Sequence, residues 1–286
     1  MSSFDRIKIK DIVTFKTGKL DSNAAENDGK YPFFTCAQQT LRINKHAFDT
    51  ECVLLAGNNA AGIFPLKYYK GKFNAYQRTY IIEPIDINKL YIRYVYYALR
   101  PFLKQFEQSA TGVTTKFLTL GIMNNLYLPL PSPSIQKKIA AVLSSYDDLI
   151  ENNNRRIAIL EKMAEEIYRE WFMRMRFPGH EKVKFHKGVP EGWDITKLGD
   201  ILELAYGKAL KEDDRITGDY PVYGSSGIVG VHKNHLVNGP GIIVGRKGNV
   251  GSVHWSEKGF FPIDTVYYVI SDFSFYFLFY LLPRQS

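Results

Sequence analysis

The sequence predicts an α+β protein in which two repeated domains with curved β-sheets are separated by a long amphipathic, coiled-coil-like helix. Three observations carry that prediction. Residues 134–177 contain neither Gly nor Pro, and their apolar side chains recur at three- and four-residue steps. Sequence elements of the first third recur near the end at an offset of 188 to 189 residues. Between those landmarks lie short runs rich in Val, Ile, Tyr and Phe, punctuated by Gly, Asn and Asp. Domain bounds follow as 1–130, 131–178 and 179–286, the last read as incomplete at its C-terminal end.

Each copy opens with a short amphipathic piece, residues 10–15 and 197–205, that ends at a glycine. Gly18-Lys19 recurs as Gly207-Lys208, and Tyr31-Pro32-Phe33-Phe34 recurs as Tyr220-Pro221-Val222-Tyr223. The apolar run Val53-Leu54-Leu55-Ala56-Gly57 matches Ile242-Ile243-Val244-Gly245, with Gly57 placed opposite Gly245. Gly62 falls opposite Gly251, and Tyr80-Ile81-Ile82 opposite Tyr268-Val269-Ile270. The first copy then continues into a helix over 89–106 that buries Leu90, Tyr94, Tyr97 and Leu99. A polar loop over 109–116 leads to a last strand over 117–130. The second copy has no counterpart of that loop and strand.

Before the central helix, Pro129, Pro131 and Pro133 exclude helical backbone, and Ser132 suits an N-cap with Pro133 at the first helical position. The helical stretch, 131–176, would be roughly 60 Å long. Its seam comprises Ile139, Val142, Tyr146, Leu149, Asn153, Ile157, Leu160, Met163, Ile167 and Trp171. Charges flank the seam throughout, so the helix cannot be buried on all sides. Asn153 interrupts it where an apolar residue is expected; such an Asn either sets register between paired helices or marks a polar position at a slight kink. The seam is therefore the surface expected to pair or to dock a partner.

A chain of 286 residues with 45% hydrophobic content accommodates two cores beside such a helix. Ser2, Ser3 and Asp5 open the chain without an apolar run, and Cys36 and Cys52 lack any metal spacing. The expected setting is the cytoplasm, with free thiols. The net charge of +8 is uneven: 17 Lys and Arg against 10 Asp and Glu in residues 1–135, 8 against 7 in 136–176, and 12 against 12 in 177–286. A basic, aromatic-rich first domain suits a polyanion such as double-stranded DNA.

Catalytic signatures are missing from the sequence. No Asn/Asp-Pro-Pro-Tyr motif, Gly-rich adenosylmethionine loop or G-x-x-x-x-G-K-S/T phosphate loop occurs. Gly245-Arg-Lys-Gly-Asn-Val-Gly251 has the composition of a phosphate loop, but a turn requiring positive φ values accounts for it better. His232 and His235 lack companions at ligand spacing, so no metal is expected. What remains is binding chemistry. Arg246, Lys247 and Asn249 stand on that glycine-rich tip, where a guanidinium suits guanine or phosphate, and Asn58 and Asn59 stand on the matching tip of copy one, where Asn suits adenine. Lys19, Arg78, Lys116, Lys208 and Tyr223 complete the DNA-contact candidates.

At this point the residues resemble a known family. Pro129-Leu-Pro-x-Pro followed by Ile135-Gln136-Lys137-Lys138-Ile139, Leu143 and Asp147-Asp148-Leu149-Ile150 looks like the central region of type I restriction–modification specificity subunits. Trp171-Phe172, Arg176-Phe177-Pro178-Gly179-His180-Glu181 and Val189-Pro190-Glu191-Gly192-Trp193, leading into Lys197-Leu198-Gly199-Asp200, match it as well. The resemblance implies a non-catalytic DNA reader with two target-recognition domains, one for each half of a bipartite site, spaced by the helix. It implies methyltransferase subunits docked on the helices, a restriction subunit joining for cleavage, and adenosylmethionine, ATP and Mg bound by those partners. Such subunits usually continue through a complete second domain and a second, antiparallel helix, which this sequence lacks. Two other readings stand beside this one: a half-subunit that homodimerises on a palindromic site, and an assembly module that occupies the methyltransferase without reading DNA.

Overall fold

The computed structural model describes residues 4–59, 62–110 and 116–282. The opening Ser2 and Ser3 and most of the polar loop expected over 109–116 lie outside the described residues. Two compact units, Met1–Asn153 and Asn154–Ser286, make up the chain.

The first unit opens with β1 (Arg6–Lys8), β2 (Val13–Thr17), β3 (Tyr31–Phe34) and β4 (Leu41–Ile43), followed by β5 (Phe48–Ala56), β6 (Asn58–Asn59), β7 (Leu66–Ala75) and β8 (Thr79–Pro84). Then come α1 (Ile92–Leu99), α2 (Leu103–Ser109), β9 (Lys116–Phe117), α3 (Leu120–Asn124), β10 (Tyr127–Pro129) and the start of α4 (Pro133–Tyr168). A curved six-stranded sheet runs in the order β2-β8-β5-β7-β3-β4. All its neighbours are antiparallel except β3 and β7. The run Cys52-Val53-Leu54-Leu55-Ala56 is buried throughout because β5 is central and covered on both faces. Val53, Leu55 and Ile82 meet the helices through Val95 and Leu99, while Cys52, Leu54 and Ile81 meet Phe34 and Phe73 on the other side. Both cysteines are free thiols, and burial pushes the Cys52 thiol up to about 12.

Two expected elements differ. The helix over 89–106 is divided into α1 and α2 around a 3-10 turn at Arg100–Phe102, because Pro101 removes a backbone donor and crowds the preceding turn. Its expected inner residues Leu90, Tyr94, Tyr97 and Leu99 are buried. The strand over 117–130 is interrupted by α3, which Thr119 caps by accepting the Ile122 N–H.

The second unit contains the remainder of α4 and a five-residue π-helical turn, Arg169–Met173. It continues with β11 (Phe185–His186), β12 (Val189–Pro190), α5 (Leu198–Ile201), β13 (Glu203–Tyr206), β14 (Tyr220–Gly224) and β15 (Gly227–His232). Then follow β16 (Gly241–Gly245), β17 (Val253–Ser256), β18 (Phe261–Pro262), β19 (Val266–Ile270) and α6 (Phe275–Leu281). Its sheets run β13-β19-β16-β17 and β15-β14-β18. The ten-residue β7 of the first unit has two short counterparts here, β17 and β18.

Hydrogen bonds and ring contacts repeat between the units. Leu54 pairs with Ile81 as Ile243 pairs with Tyr268, and Phe33 pairs in parallel with Asn74 as Val222 does with Phe261. The Ala47 N–H donates to the Phe73 carbonyl at 3.0 Å, and the Leu236 N–H to the Phe260 carbonyl at 3.0 Å. Tyr31 lies against His46 at 4.8 Å, and Tyr220 against His235 at 4.6 Å. A Cβ on Gly18 would lie 1.8 Å from the Ala75 carbonyl oxygen, and one on Gly207 would lie 2.1 Å from that of Ile263, so both copies keep glycine there. The register also corrects the expected alignment. Ala56, not Gly57, stands opposite Gly245, and Tyr80 stands opposite Tyr267, because the offset changes from 189 to 187 across the shorter second hairpin.

The helix α4 begins at Pro133 as the proline pattern requires. Within the first unit its inner face is Gln136, Ala140 and Ser144, all buried at four-residue steps. Gln136 accepts the Tyr91 N–H at 2.8 Å and donates to the carbonyls of Lys89 at 3.0 Å and Pro131 at 2.8 Å. One turn beyond Ser144, Asp147 accepts the Tyr97 hydroxyl at 2.8 Å and pairs with Arg100 at 3.3 Å. Burial and the Asp147 hydrogen bond push the Tyr97 phenol up to about 12. Within the second unit, Tyr168 is buried among Phe172, Phe277 and Tyr280.

Candidate nucleic-acid interface

In the first unit, the chain leaves β5 through Gly57 and immediately forms β6, which pairs Asn58 with Phe117 and Asn59 with Lys116. The Gly57 N–H donates to the Arg78 carbonyl at 2.7 Å, and the Leu118 N–H donates to the Gly57 carbonyl at 2.9 Å. These bonds draw the β7–β8 turn and β9 against the end of β5. Lys19 joins them because its neighbour Leu20 accepts the Gln77 N–H at 2.9 Å. Gln77 also donates to Asp21 at 2.6 Å. One end of the unit thus gathers Lys19, Asn58, Asn59, Arg78 and Lys116, which lie far apart in sequence. Lys19 and Arg78 are exposed, whereas Asn58 and Asn59 are half-buried. Asn58 holds its Oδ1 inside the protein without a partner. Beside this group lies a cleft of about 310 Å³ lined by residues including Thr17, Gly57, Gln77, Arg78, Tyr80 and Phe117. Three cations at the tip of a sheet, with few acids among them, form a surface that attracts phosphates.

Phe117 is absent from the candidates the sequence suggests. Its ring lies 5.2 Å from the Arg78 guanidinium carbon. The two residues are thirty-nine positions apart in sequence, so only the β6–β9 pairing reveals the contact.

The second unit's tip is built differently. Arg246 and Lys247 both donate their N–H to the Thr265 carbonyl, at 2.9 and 3.1 Å. Gly251 donates to Gly245 at 3.0 Å, Val250 to Gly248 at 3.0 Å, and Ser252 to Asn249 at 3.3 Å. With Gly248 and Gly251 at φ values of 76° and 80°, this is a tight turn in which the amides of Arg246, Lys247, Val250, Gly251 and Ser252 are already engaged by backbone carbonyls. The Arg246 guanidinium lies over Tyr206 at 5.1 Å and Tyr267 at 5.8 Å, and donates to the Asp264 carbonyl at 2.8 Å. Lys247 pairs loosely with Asp264 at 3.8 Å. Asn249 and Lys208 are exposed. Tyr223 is a core residue: it is buried, packs edge-on against Phe260 at 5.8 Å, and donates its hydroxyl to the Trp255 carbonyl at 3.1 Å. It offers no ring to a base.

His232 and His235 make packing and hydrogen-bond contacts within the second unit. His232 accepts the Ile216 N–H at 3.0 Å, and His235 packs on Tyr220. Among the described residues, no group of three or more His, Cys, Asp or Glu could hold a metal ion. No helix among them is long and apolar enough to cross a membrane.

Most of the α4 seam is open. Ile139 is half-buried against the first unit's core. Val142, Tyr146 and Leu149 on the first unit, and Ile157, Leu160, Met163 and Ile167 on the second, are between 48% and 62% exposed. Asn153 is exposed on the same helix, and Trp171 is exposed in the π-helical turn.

A family model described as the type I restriction modification DNA specificity domain matches residues 1–162 and 190–286. The specificity subunit of the type I restriction enzyme EcoDI from Escherichia coli is 35% identical over 222 residues, covering 70% of this chain and 49% of that protein. The MjaIX specificity subunit of Methanocaldococcus jannaschii is 38% identical over 123 residues, covering 40% of this chain and 28% of that protein. The chain therefore spans about half the length, or less, of these curated relatives. A crystal structure of the S subunit of a type I restriction–modification system from M. genitalium has the same fold, with a TM-score of 0.64 and 22% identity over 100% of this chain and 79% of that one.

Proposed function

The chain belongs to the type I restriction–modification DNA specificity family, and we propose that it is a non-catalytic reader of double-stranded DNA. It would direct adenine methyltransferase subunits, and a restriction subunit with them, to a site in two parts, one part for each unit. The observation that carries this reading is the convergence of Lys19, Asn59, Arg78 and Lys116 on one end of the first unit, on elements held together by backbone hydrogen bonds. In this reading the cytoplasmic partners bind adenosylmethionine, ATP and Mg, and the open apolar side of α4 docks the methyltransferase. Lys208, Lys247 and Asn249 are the second unit's candidates for DNA contact.

Salt dependence tests the DNA contact. Each neutralised phosphate contributes a slope of about −0.9 in log K against log salt, so Lys19 and Lys116 together correspond to about a twelvefold loss of affinity between roughly 50 and 200 mM. Substituting both by alanine should weaken binding of all sequences alike and flatten that slope by nearly two. Binding whose slope is unchanged in the double variant would place the phosphate-contacting surface elsewhere.

A further inference from the structure

The two tips share one backbone contact but take their guanidinium from different segments. The Gly57 N–H donates to the Arg78 carbonyl as the Arg246 N–H donates to that of Thr265, so Gly57 corresponds to Arg246 and Arg78 to Thr265. Thr17 pairs with Tyr80 as Tyr206 pairs with Tyr267. In the second unit, Arg246 therefore lies against the counterparts of two residues that line the first unit's cleft. There its guanidinium is held by two tyrosines and the Asp264 carbonyl, while its Nε is shielded and without a partner. It acts as a strut.

In the first unit that position is glycine, and the cleft is open. A Cβ on Gly57 would lie 2.5 Å from the Arg78 carbonyl oxygen and 3.1 Å from the Tyr80 ring, so this close approach of the two segments requires glycine. The arginine here is Arg78, which is exposed and lies over Phe117. Phe117 is itself well placed. It pairs with Asn58, and the adjoining Leu118 donates to Gly57 at 2.9 Å and accepts the Tyr80 hydroxyl at 2.8 Å. A guanidinium laid on an aromatic face loses rotational freedom yet keeps its N–H fork directed outward. Guanine O6 and N7 are the base-edge acceptors that match this fork.

We infer that Arg78 reads a guanine in the DNA site and that Phe117 is the positioning residue that holds its fork. This rests on the DNA-reading function proposed above. The test is selection of binding sites from randomised duplex DNA by the full chain, comparing wild type with R78K, R78A, F117A, F117Y and the R78A/F117A double variant. Arg78→Lys keeps the charge but lacks the fork. It should lose roughly tenfold to a hundredfold of the discrimination at one guanine while leaving the other positions intact. F117A should relax the same position, F117Y should retain it, and the double variant should be no worse than R78A. The inference is overturned if R78K keeps the wild-type motif while R78A weakens all sequences alike, the behaviour of a phosphate contact. It is also overturned if the selected motif contains no guanine sensitive to R78K. A wild-type chain that selects no sequence would instead overturn the DNA-reading function itself.

Discussion

Replacing Gln136 by leucine should destabilise the first unit by about 2–4 kcal/mol, since it strips one buried and two part-buried backbone contacts of their partner, at about 1–3 kcal/mol where water cannot take its place. Gln136 has no exposed surface, and its amide is the hydrogen-bond partner of the Tyr91 N–H and of the Lys89 and Pro131 carbonyls. It ties the first turn of α4 to the start of α1. Leucine fits the volume but satisfies none of these groups. Hydrogen exchange at the central β5 amides of the full chain would report the change as faster opening. A loss below about 1 kcal/mol would mean that another contact, with Asp147 the next in line, anchors the helix.

The second large effect concerns assembly. The double substitution Ile157→Glu and Leu160→Glu should abolish binding to methyltransferase subunits. Each residue would contribute about 1.5–3 kcal/mol when covered by a partner, and a carboxylate in its place adds a desolvation cost. The isolated chain should hardly notice, because Ile157 and Leu160 are 53% and 60% exposed and surface changes usually remain within about 0.5 kcal/mol. Co-purification separates the two effects: the variant should be folded but elute without its partners. Undiminished assembly would remove this side of α4 from the interface.

These two residues and Gln136 also show what was legible in the sequence. Apolar spacing identified the open seam of α4, because large side chains at three- and four-residue steps leave a clear periodic trace. The face that docks on the first unit left no such trace. Gln136, Ala140 and Ser144 are polar or small, and they are buried because hydrogen bonds and close approach, not hydrophobicity, hold them there. Pro101 lies within the helix expected over 89–106, and it divides that helix as the loss of a backbone donor requires.

The repeat was legible as a family of matches, but its register was not. An insertion or deletion within a hairpin shifts later strands without changing their residue types, so Tyr80 aligned as readily with Tyr268 as with Tyr267. A separate one-residue slip, Gly57 placed opposite Gly245, concealed the equivalence of Gly57 with Arg246. Tyr223 shows a different limit. A tyrosine following a Tyr-Pro pair looks available, yet β14 is the central strand of its sheet, buried from Pro221 to Gly224, and the Tyr223 hydroxyl finds the Trp255 carbonyl. Phe117 was invisible because its importance lies in a partner brought near only by the fold.

The most direct test of the central claim is sequencing of modified bases in cells that carry this gene with its methyltransferase partners, compared with cells in which this gene alone is deleted. The account predicts methylated adenine within a two-part motif that disappears on deletion, and relaxation of one guanine in that motif when Arg78 is replaced by lysine. Unchanged methylation after deletion would contradict it.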